Sequence, residues 1–410
     1  MLYHQRSGQL RHLFASNVLF DIGGSRTPVM DCMPMIPNEL DLMIISHFDI
    51  DHISGIPALL KKTRVRNLWI PSIGAEMRLC LAVDALVRSS TIGYDLGEAL
   101  QIAKFVADPA GYLIESGHRE TDITEVPYTE HPPNLDMEGE EYMMPDARED
   151  RPSSTDKGRG FEVRFSEDKR TVTLLVRDST WFQFKVIMNG ASSVAADPKL
   201  RSYADGIFAA IGMSADEVTS KPADAAKALT SAKGLRHIGK GLRVCINDTS
   251  MVVACRAVPF SNSITLETQN VRMSVRPSHI TRRLAPFQHL EAIILARQTI
   301  AKEASSASRL SRSWSALLTG DAGKGSLKYI KSIDAMVLQV PHHGSHTSLS
   351  HSFYAENLFK FGVVSCGAVN SFGHPHPAVL QRLLSSGIRV LFATEHGGWS
   401  IGHSVWDFIK

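Results

Sequence analysis

The stretch Ser46-His47-Phe48-Asp49-Ile50-Asp51-His52-Ile53-Ser54-Gly55 constrains this chain more than any other. Four residues able to ligate a metal, His47, Asp49, Asp51 and His52, fall within six positions. The apolar run Leu42-Met43-Ile44-Ile45 precedes them and predicts a fully buried strand. After them, Ile53 to Lys62 has the apolar spacing of a short helix, with Pro57 early, where a helix tolerates it. The ligands therefore lie on a strand-to-helix loop. In an extended loop His47 and Asp49 point the same way. Asp51 and His52 are adjacent and diverge, so two ligands are placed to serve one metal and two a second. A polar surface turn is the plain alternative, yet packing offers little reason for two histidines and two aspartates behind a buried strand.

Other segments fall into order around that loop. Val18-Leu19-Phe20-Asp21-Ile22-Gly23-Gly24 reads as a strand ending in a glycine turn, and Asn67 to Pro71 as another strand. Helical pattern runs from about Ala75 to Ala107. Residues 115–150 hold twelve acidic and two basic residues together with four prolines, a composition that buries little apolar area, and predict a long acidic loop. Strand alternation returns in 161–165 and 171–176, and helical spacing over 205–235. Four further motifs follow: Asn247-Asp248-Thr249-Ser250 before a strand, Thr319-Gly320-Asp321 at a strand end, Pro341-His342-His343-Gly344-Ser345, and Gly373-His374-Pro375-His376-Pro377. Between the first two, residues 256–313 carry nine Arg and Lys against three Glu. Arg272, Arg276, Arg282 and Arg283 cluster there.

Taken together, these motifs resemble the metallo-β-lactamase superfamily, whose common pattern is HxHxDH. Here the second histidine is replaced by Asp49, and HxDxDH is similar to the branch that includes the nuclease domain of the DNA-uptake protein ComEC and related bacterial phosphodiesterases. The Thr-Gly-Asp, Pro-His-His-Gly-Ser and Gly-His-Pro-His-Pro motifs match that branch in order. The likeness covers roughly residues 1–75 and 242–400. It implies an α/β (α+β) fold, an αββα sandwich of two mixed sheets with helices outside. The chain is expected to form one such domain over 1–410, with an acidic insertion at 115–150, a middle region of its own at 151–241 and a basic insertion at 256–313.

The resemblance also implies roles. His47 and Asp49 would bind one divalent ion, Asp51 and His52 another, with Asp321 bridging and His343 a further ligand. A donor set of imidazole and carboxylate, without thiolate, suits two zinc or manganese ions. The family's usual third-motif histidine is not evident, which leaves the coordination of one ion incomplete. Asp21 would orient a ligand from behind. Asp51, His342 and His374 are the catalytic candidates, His342 by protonating a leaving oxygen or contacting phosphate. Ser345 and the Gly344 backbone could donate to a phosphate, with His376 at the rim. Asn247 fits a turn-fixing amide better than a ligand.

Composition narrows the setting. Five cysteines, odd in number, scattered and without a CxxC pair, argue against a disulfide framework or a cysteine zinc site. No uncharged apolar run approaches twenty residues, so no transmembrane helix is expected. The N-terminal segment carries His4, Arg6, Arg11 and His12 where an export signal needs an apolar core, and a cytoplasmic location is expected. The leading expectation is a two-metal phosphodiesterase or nuclease acting on DNA or RNA, with the basic insertion tracking the backbone. Alternatives are a small-molecule phosphodiesterase and an effector subunit regulated by a protein partner docked on the middle region. β-Lactam hydrolysis is the least expected.

Overall fold

The computed structural model describes residues 17–89, 92–126, 161–165, 171–176, 180–189, 198–221, 224–225, 228, 250–259, 264–265, 314–328, 330–331, 333–348, 351–366, 373–393 and 402–403. In chain order the first strands are β1 (Val18–Phe20), β2 (Glu39–Leu40), β3 (Leu42–Ile44), β4 (Arg64–Val65), β5 (Asn67–Pro71) and β6 (Asp122–Val126). β1, β3, β5 and β6 form one sheet in that spatial order, parallel throughout, and β2 pairs with β4 on its own. Parallel neighbours need crossovers, and the helices Arg26–Cys32, Ile56–Leu60, Ala75–Ser89 and Leu96–Ala107 lie on them. Among the described residues this sheet is thus parallel, where a mixed one was expected.

The later strands are β7 (Phe161–Phe165), β8 (Thr171–Val176), β9 (Thr180–Asn189), β10 (Met251–Pro259), β11 (Ile264–Thr265), β12 (Trp314–Leu318), β13 (Asp334–Gln339), β14 (Leu358–Ser365), β15 (Arg389–Ala393) and β16 (Gly402–His403). Eight of them make a mixed sheet ordered β15-β14-β13-β12-β10-β9-β8-β7, while β11 pairs with β16. From β15 to β12 the neighbours run parallel, and from β12 to β7 antiparallel.

Strand period explains how the sheets stack. Val18, Phe20, Leu42, Ile44 and Trp69 point to one side, where they meet Met251, Val253, Ala316, Leu318 and Leu391 of the other sheet. The alternate residues Leu19, Met43, Leu68 and Ile70 face outward and are covered by Met77, Cys80, Ile102, Phe105 and Ile207 from helices. On the second sheet, Val252, Leu317 and Leu338 are covered by Phe353 and by Val379, Leu380 and Leu383 of the helix Pro377–Ser385. The layers run helix, sheet, sheet, helix: the αββα sandwich.

β6 corrects the reading of 115–150 as loop throughout. Val126 is fully buried between the sheets, and Arg78 pairs with the Glu125 carboxylate at 2.6 Å. Sheet pairing outweighed an acidic local composition there. Residues 127–150, Asn247, Arg272, Arg276, Arg282 and Arg283 lie outside the described residues. Among the described residues no helix is long and apolar enough to cross a membrane.

Candidate metal centre

The centre forms where β1, β3 and β12 end on the same side and their following turns interlock. Beyond β3 the chain does not stay extended. Asp49 accepts the Ile50 N–H at 2.6 Å and starts a helical turn, Ile50–Ile53, which carries Asp51 and His52. Helical neighbours are about 100° apart rather than opposed, so Asp51 and His52 converge, with Asp51 Oδ2 3.9 Å from His52 Nε2. This corrects the expected divergence. The glycine turn after β1 sets the approach. A Cβ on Gly23 would lie 2.4–2.5 Å from backbone atoms of Asp51 and His52. Ile22 donates to the His52 carbonyl at 2.8 Å.

From the second sheet, β12 ends in Thr319-Gly320-Asp321. Gly320 sits so close to Ser46 that its absent Cβ would meet Ser46 Oγ at 2.6 Å. Ser46 in turn accepts the Met251 N–H through its carbonyl at 2.8 Å. Asp321 N–H donates to Ser250 Oγ at 3.2 Å, and His342 N–H to the Gly320 carbonyl at 3.1 Å. The Gly344 carbonyl accepts from His376 N–H at 2.9 Å, which ties the histidine-pair turn to the Gly-His-Pro-His-Pro loop.

These ties bring one donor atom each from Asp51, His52, Asp321 and His343 within 4.8 Å of one another. His343 Nε2 lies 3.1 Å from Asp51 Oδ2 and 3.8 Å from Asp321 Oδ1. His52 Nε2 stands 3.2 Å from Asp321 Oδ1, close but without the direction of a hydrogen bond.

The imidazoles are oriented from behind. Asp21 accepts the Ser46 N–H on Oδ1, and the Ser46 hydroxyl and His52 Nδ1 on Oδ2, at 2.7, 2.7 and 2.8 Å. A carboxylate only accepts, so His52 carries a proton on Nδ1 and turns Nε2 inward. The Ser46 hydroxyl spends its proton on Asp21 and therefore accepts from His47 Nδ1 at 2.9 Å. His343 Nδ1 donates to the Ser365 carbonyl at 2.7 Å. His47 and His52 thus turn Nε2 to the interior, and His343 Nε2 points at Asp51 Oδ2, 3.1 Å away. His47 Nε2, His52 Nε2, Asp51 Oδ1 and Asp321 Oδ1 are buried without a hydrogen-bond partner. Orphaned acceptors of this kind are costly unless a cation meets them. The donor set fits a divalent ion of the zinc or manganese type.

Charge agrees with that fit. Burial opposes ionisation of Asp51, but His52 and His343 hold its carboxyl well below the usual range. Asp321 behaves alike, with His52 as its main counter-charge. Burial likewise lowers His343, yet its hydrogen bond to Asp51 and the Asp321 charge raise it to about 9. His47 is pushed down to about 4 by burial and then by His52, so its imidazole is neutral.

The other expected site residues take different places. Asp49 does not join the four donors. Its Oδ1 sits 2.5 Å from Arg88 Nη1, on the last turn of the helix Ala75–Ser89. Burial and the Asp51 charge raise Asp49 to about 7 against the pull of Arg88. His47 also lies outside the four, 4.2 Å from His52 between ring centroids. His342 Nε2 is 3.7 Å from Asp321 Oδ2, and its ring is 5.6 Å from that of His374. Burial, His342 and His343 lower His374 to about 4. His376 caps the helix Pro377–Ser385 by accepting Ala378 N–H on Nδ1 at 3.2 Å, and its ring packs 4.7 Å from His346. Gly344 N–H donates to the Pro341 carbonyl at 3.1 Å, and the Ser345 hydroxyl pairs with that of Thr347 at 2.9 Å.

Sequence reasoning missed Ser46, the role of Ser250, the Ser365 carbonyl and Arg88. Ser46 could have been found as the hydroxyl beside the first motif histidine. Arg88 has no local signal.

Among the described residues the non-glycine positions with positive φ are Asp21, His342 and His343, at 54°, 50° and 53°. Each costs about 1–3 kcal/mol and persists only where its surroundings over-determine it. All three line this centre.

Comparison with known proteins agrees with this architecture. The profile of the Metallo-beta-lactamase superfamily matches residues 17–170. The chain carries a metallo-β-lactamase domain. The match spans β1 to β6 and the HxDxDH loop, while Asp321 and His343 lie beyond it. ComE operon protein 3 of Bacillus subtilis is 38% identical over 89 residues, 21% of this chain and 11% of that protein. Competence protein ComA of Neisseria gonorrhoeae is 36% identical over 91 residues, 21% of this chain and 13% of that protein. The matched part is little more than a tenth of the length of these curated relatives. They support the ComEC-type branch of the superfamily, which generally comprises metal-dependent hydrolases.

Proposed function

We propose that this metallo-β-lactamase domain is a metal-dependent phosphodiesterase that cleaves nucleic acid. The observation that carries the reading is the four-donor group Asp51, His52, Asp321 and His343, with His342 and His374 beside it on the open side. A divalent ion bound there supplies Lewis acidity to a phosphoryl oxygen and acidifies a water. The chain's own groups do the rest. Asp21, Ser46 and the Ser365 carbonyl each engage an Nδ1 and so hold three imidazoles with their Nε2 atoms inward. His342, about a quarter exposed, is placed to donate to a phosphoryl oxygen or to protonate the leaving oxygen. His374, neutral at pH 7, offers a ring nitrogen to the same substrate. One of the named relatives is a competence protein, and the basic segment 256–313 has the composition of a backbone-tracking loop. Zinc and manganese are the proposed ions.

The test is to incubate the purified chain with supercoiled plasmid, single-stranded DNA, RNA and bis-p-nitrophenyl phosphate, each with manganese or zinc. Cleavage of a long substrate, abolished by chelator, supports the proposal. Turnover of the small ester alone moves the reading to a small-molecule phosphodiesterase, and no turnover of any phosphodiester refutes it.

A further inference from the structure

The motif HxDxDH offers two half-sites, and in this chain they are not equivalent. Asp51 and His52 meet Asp321 and His343. Asp49 is not among those four, and its Oδ1 receives two donors, Ile50 N–H and Arg88 Nη1. Arg88 Nη1 is also 3.1 Å from Asp84 Oδ2, one helical turn back and buried. The guanidinium is therefore clamped between two carboxylates. Its helix is itself held in place, since Met77, Cys80, Val83 and Leu86 lie in the core shared with Phe105 and Ile207. A fixed positive charge already satisfies the carboxylate that a second ion would need. A divalent ion placed there would face that guanidinium at short range, and like charges repel steeply in a partly buried site. His47 then remains with one buried lone pair, and a single imidazole does not hold an ion alone.

Resting on the metal reading of the same centre, we propose that Arg88 substitutes for the second cation of the motif, so that this domain binds one divalent ion, held by Asp51, His52, Asp321 and His343. Arg88 thereby sets the metal count, and Asp49 is an arginine partner rather than a ligand.

The proposal is tested by counting ions. The full chain, stripped with chelator, is titrated calorimetrically with manganese chloride and with zinc chloride, and bound metal per chain is measured after gel filtration. The wild type should take up one equivalent. Asp49→Asn should also bind one, with an affinity within about threefold of the wild type. Arg88→Ala should release Asp49 and bind two, whereas Arg88→Lys should stay at one. Two equivalents in the wild type, loss of an equivalent in Asp49→Asn, or a count of one in Arg88→Ala would each overturn the proposal. If Arg88→Ala does not fold, the wild-type and Asp49→Asn counts still decide it. None of these readouts is hydrolysis: a chain that binds one ion but cleaves no phosphodiester refutes the proposed activity and leaves this inference standing.

Discussion

Asp21→Asn isolates the bonds that aim His52. Asparagine tolerates a φ of 54° as aspartate does, so the turn after β1 is preserved. What changes is the acceptor count. The carboxylate takes Ser46 N–H on one oxygen and the Ser46 hydroxyl and His52 Nδ1–H on the other. A carboxamide has a single acceptor oxygen, so one rotamer sets its NH2 against Ser46 N–H and the other against His52 Nδ1–H. The second conflict is relieved if His52 moves its proton to Nε2, and the lone pair beside Asp321 Oδ1 is then gone. Loss of such an orienting partner typically costs about 10–100-fold in metal affinity, which is about 1.4–2.8 kcal/mol. Asp21→Ala should cost more, because alanine adds about 1–2 kcal/mol of left-handed strain. Manganese titration calorimetry on the chelator-stripped proteins reads both. If Asp21→Asn binds manganese within about threefold of the wild type, the network does not orient the ligand and the reasoning fails.

Gly23→Ala should destabilise the protein by about 1–3 kcal/mol in chemical denaturation, since its Cβ would collide with backbone that cannot rotate away; an unchanged midpoint would contradict the packing of the two turns. Asp51→Ala and His52→Ala should each abolish metal-dependent hydrolysis while circular dichroism stays native, and near-wild-type turnover in both would remove this motif from the chemistry. Replacing Arg276, Arg282 and Arg283 with alanine should weaken nucleic-acid binding and flatten its salt slope by about one unit per lost phosphate contact. The same triple variant should hydrolyse bis-p-nitrophenyl phosphate as before, and normal binding of long substrates at every salt concentration would reduce the insertion to a solvated loop. His374, lowered to about 4, stays neutral at pH 7 and charges only well below the ordinary histidine range. Its contribution to stability is present above about pH 6.5 and is lost as pH falls toward 4; an NMR midpoint near 6.5 for its ring would show that burial does not suppress its charge.

The strands that build the centre were legible because their residues alternate or run apolar for the length of a strand, and each is followed by a loop dense in ligating side chains. Leu42–Ile44 and Asp334–Gln339 are both of this kind. β6 was not legible, because Asp122 and Glu125 sit in an acidic neighbourhood and only pairing with β5 makes them strand. The resemblance of the motifs, read in chain order, named Asp51, His52, Asp321 and His343 together with His47 and Asp49, since residues at strand ends keep their sequence positions however the sheets pack. Where the ligands point was another matter. The turn that makes Asp51 and His52 converge depends on the Asp49 cap, and the proton positions depend on Asp21 and Ser365, 31 and 22 residues away from the rings they fix. Asp49 is met by Arg88, 39 residues on, which reaches it from a helix in another layer. Local spacing encodes which side chains sit near a strand end. It carries no record of which opposite charge the packing will bring to each of them, so the grouping of Asp51, His52, Asp321 and His343 and the pairing of Asp49 with Arg88 belong to the tertiary structure.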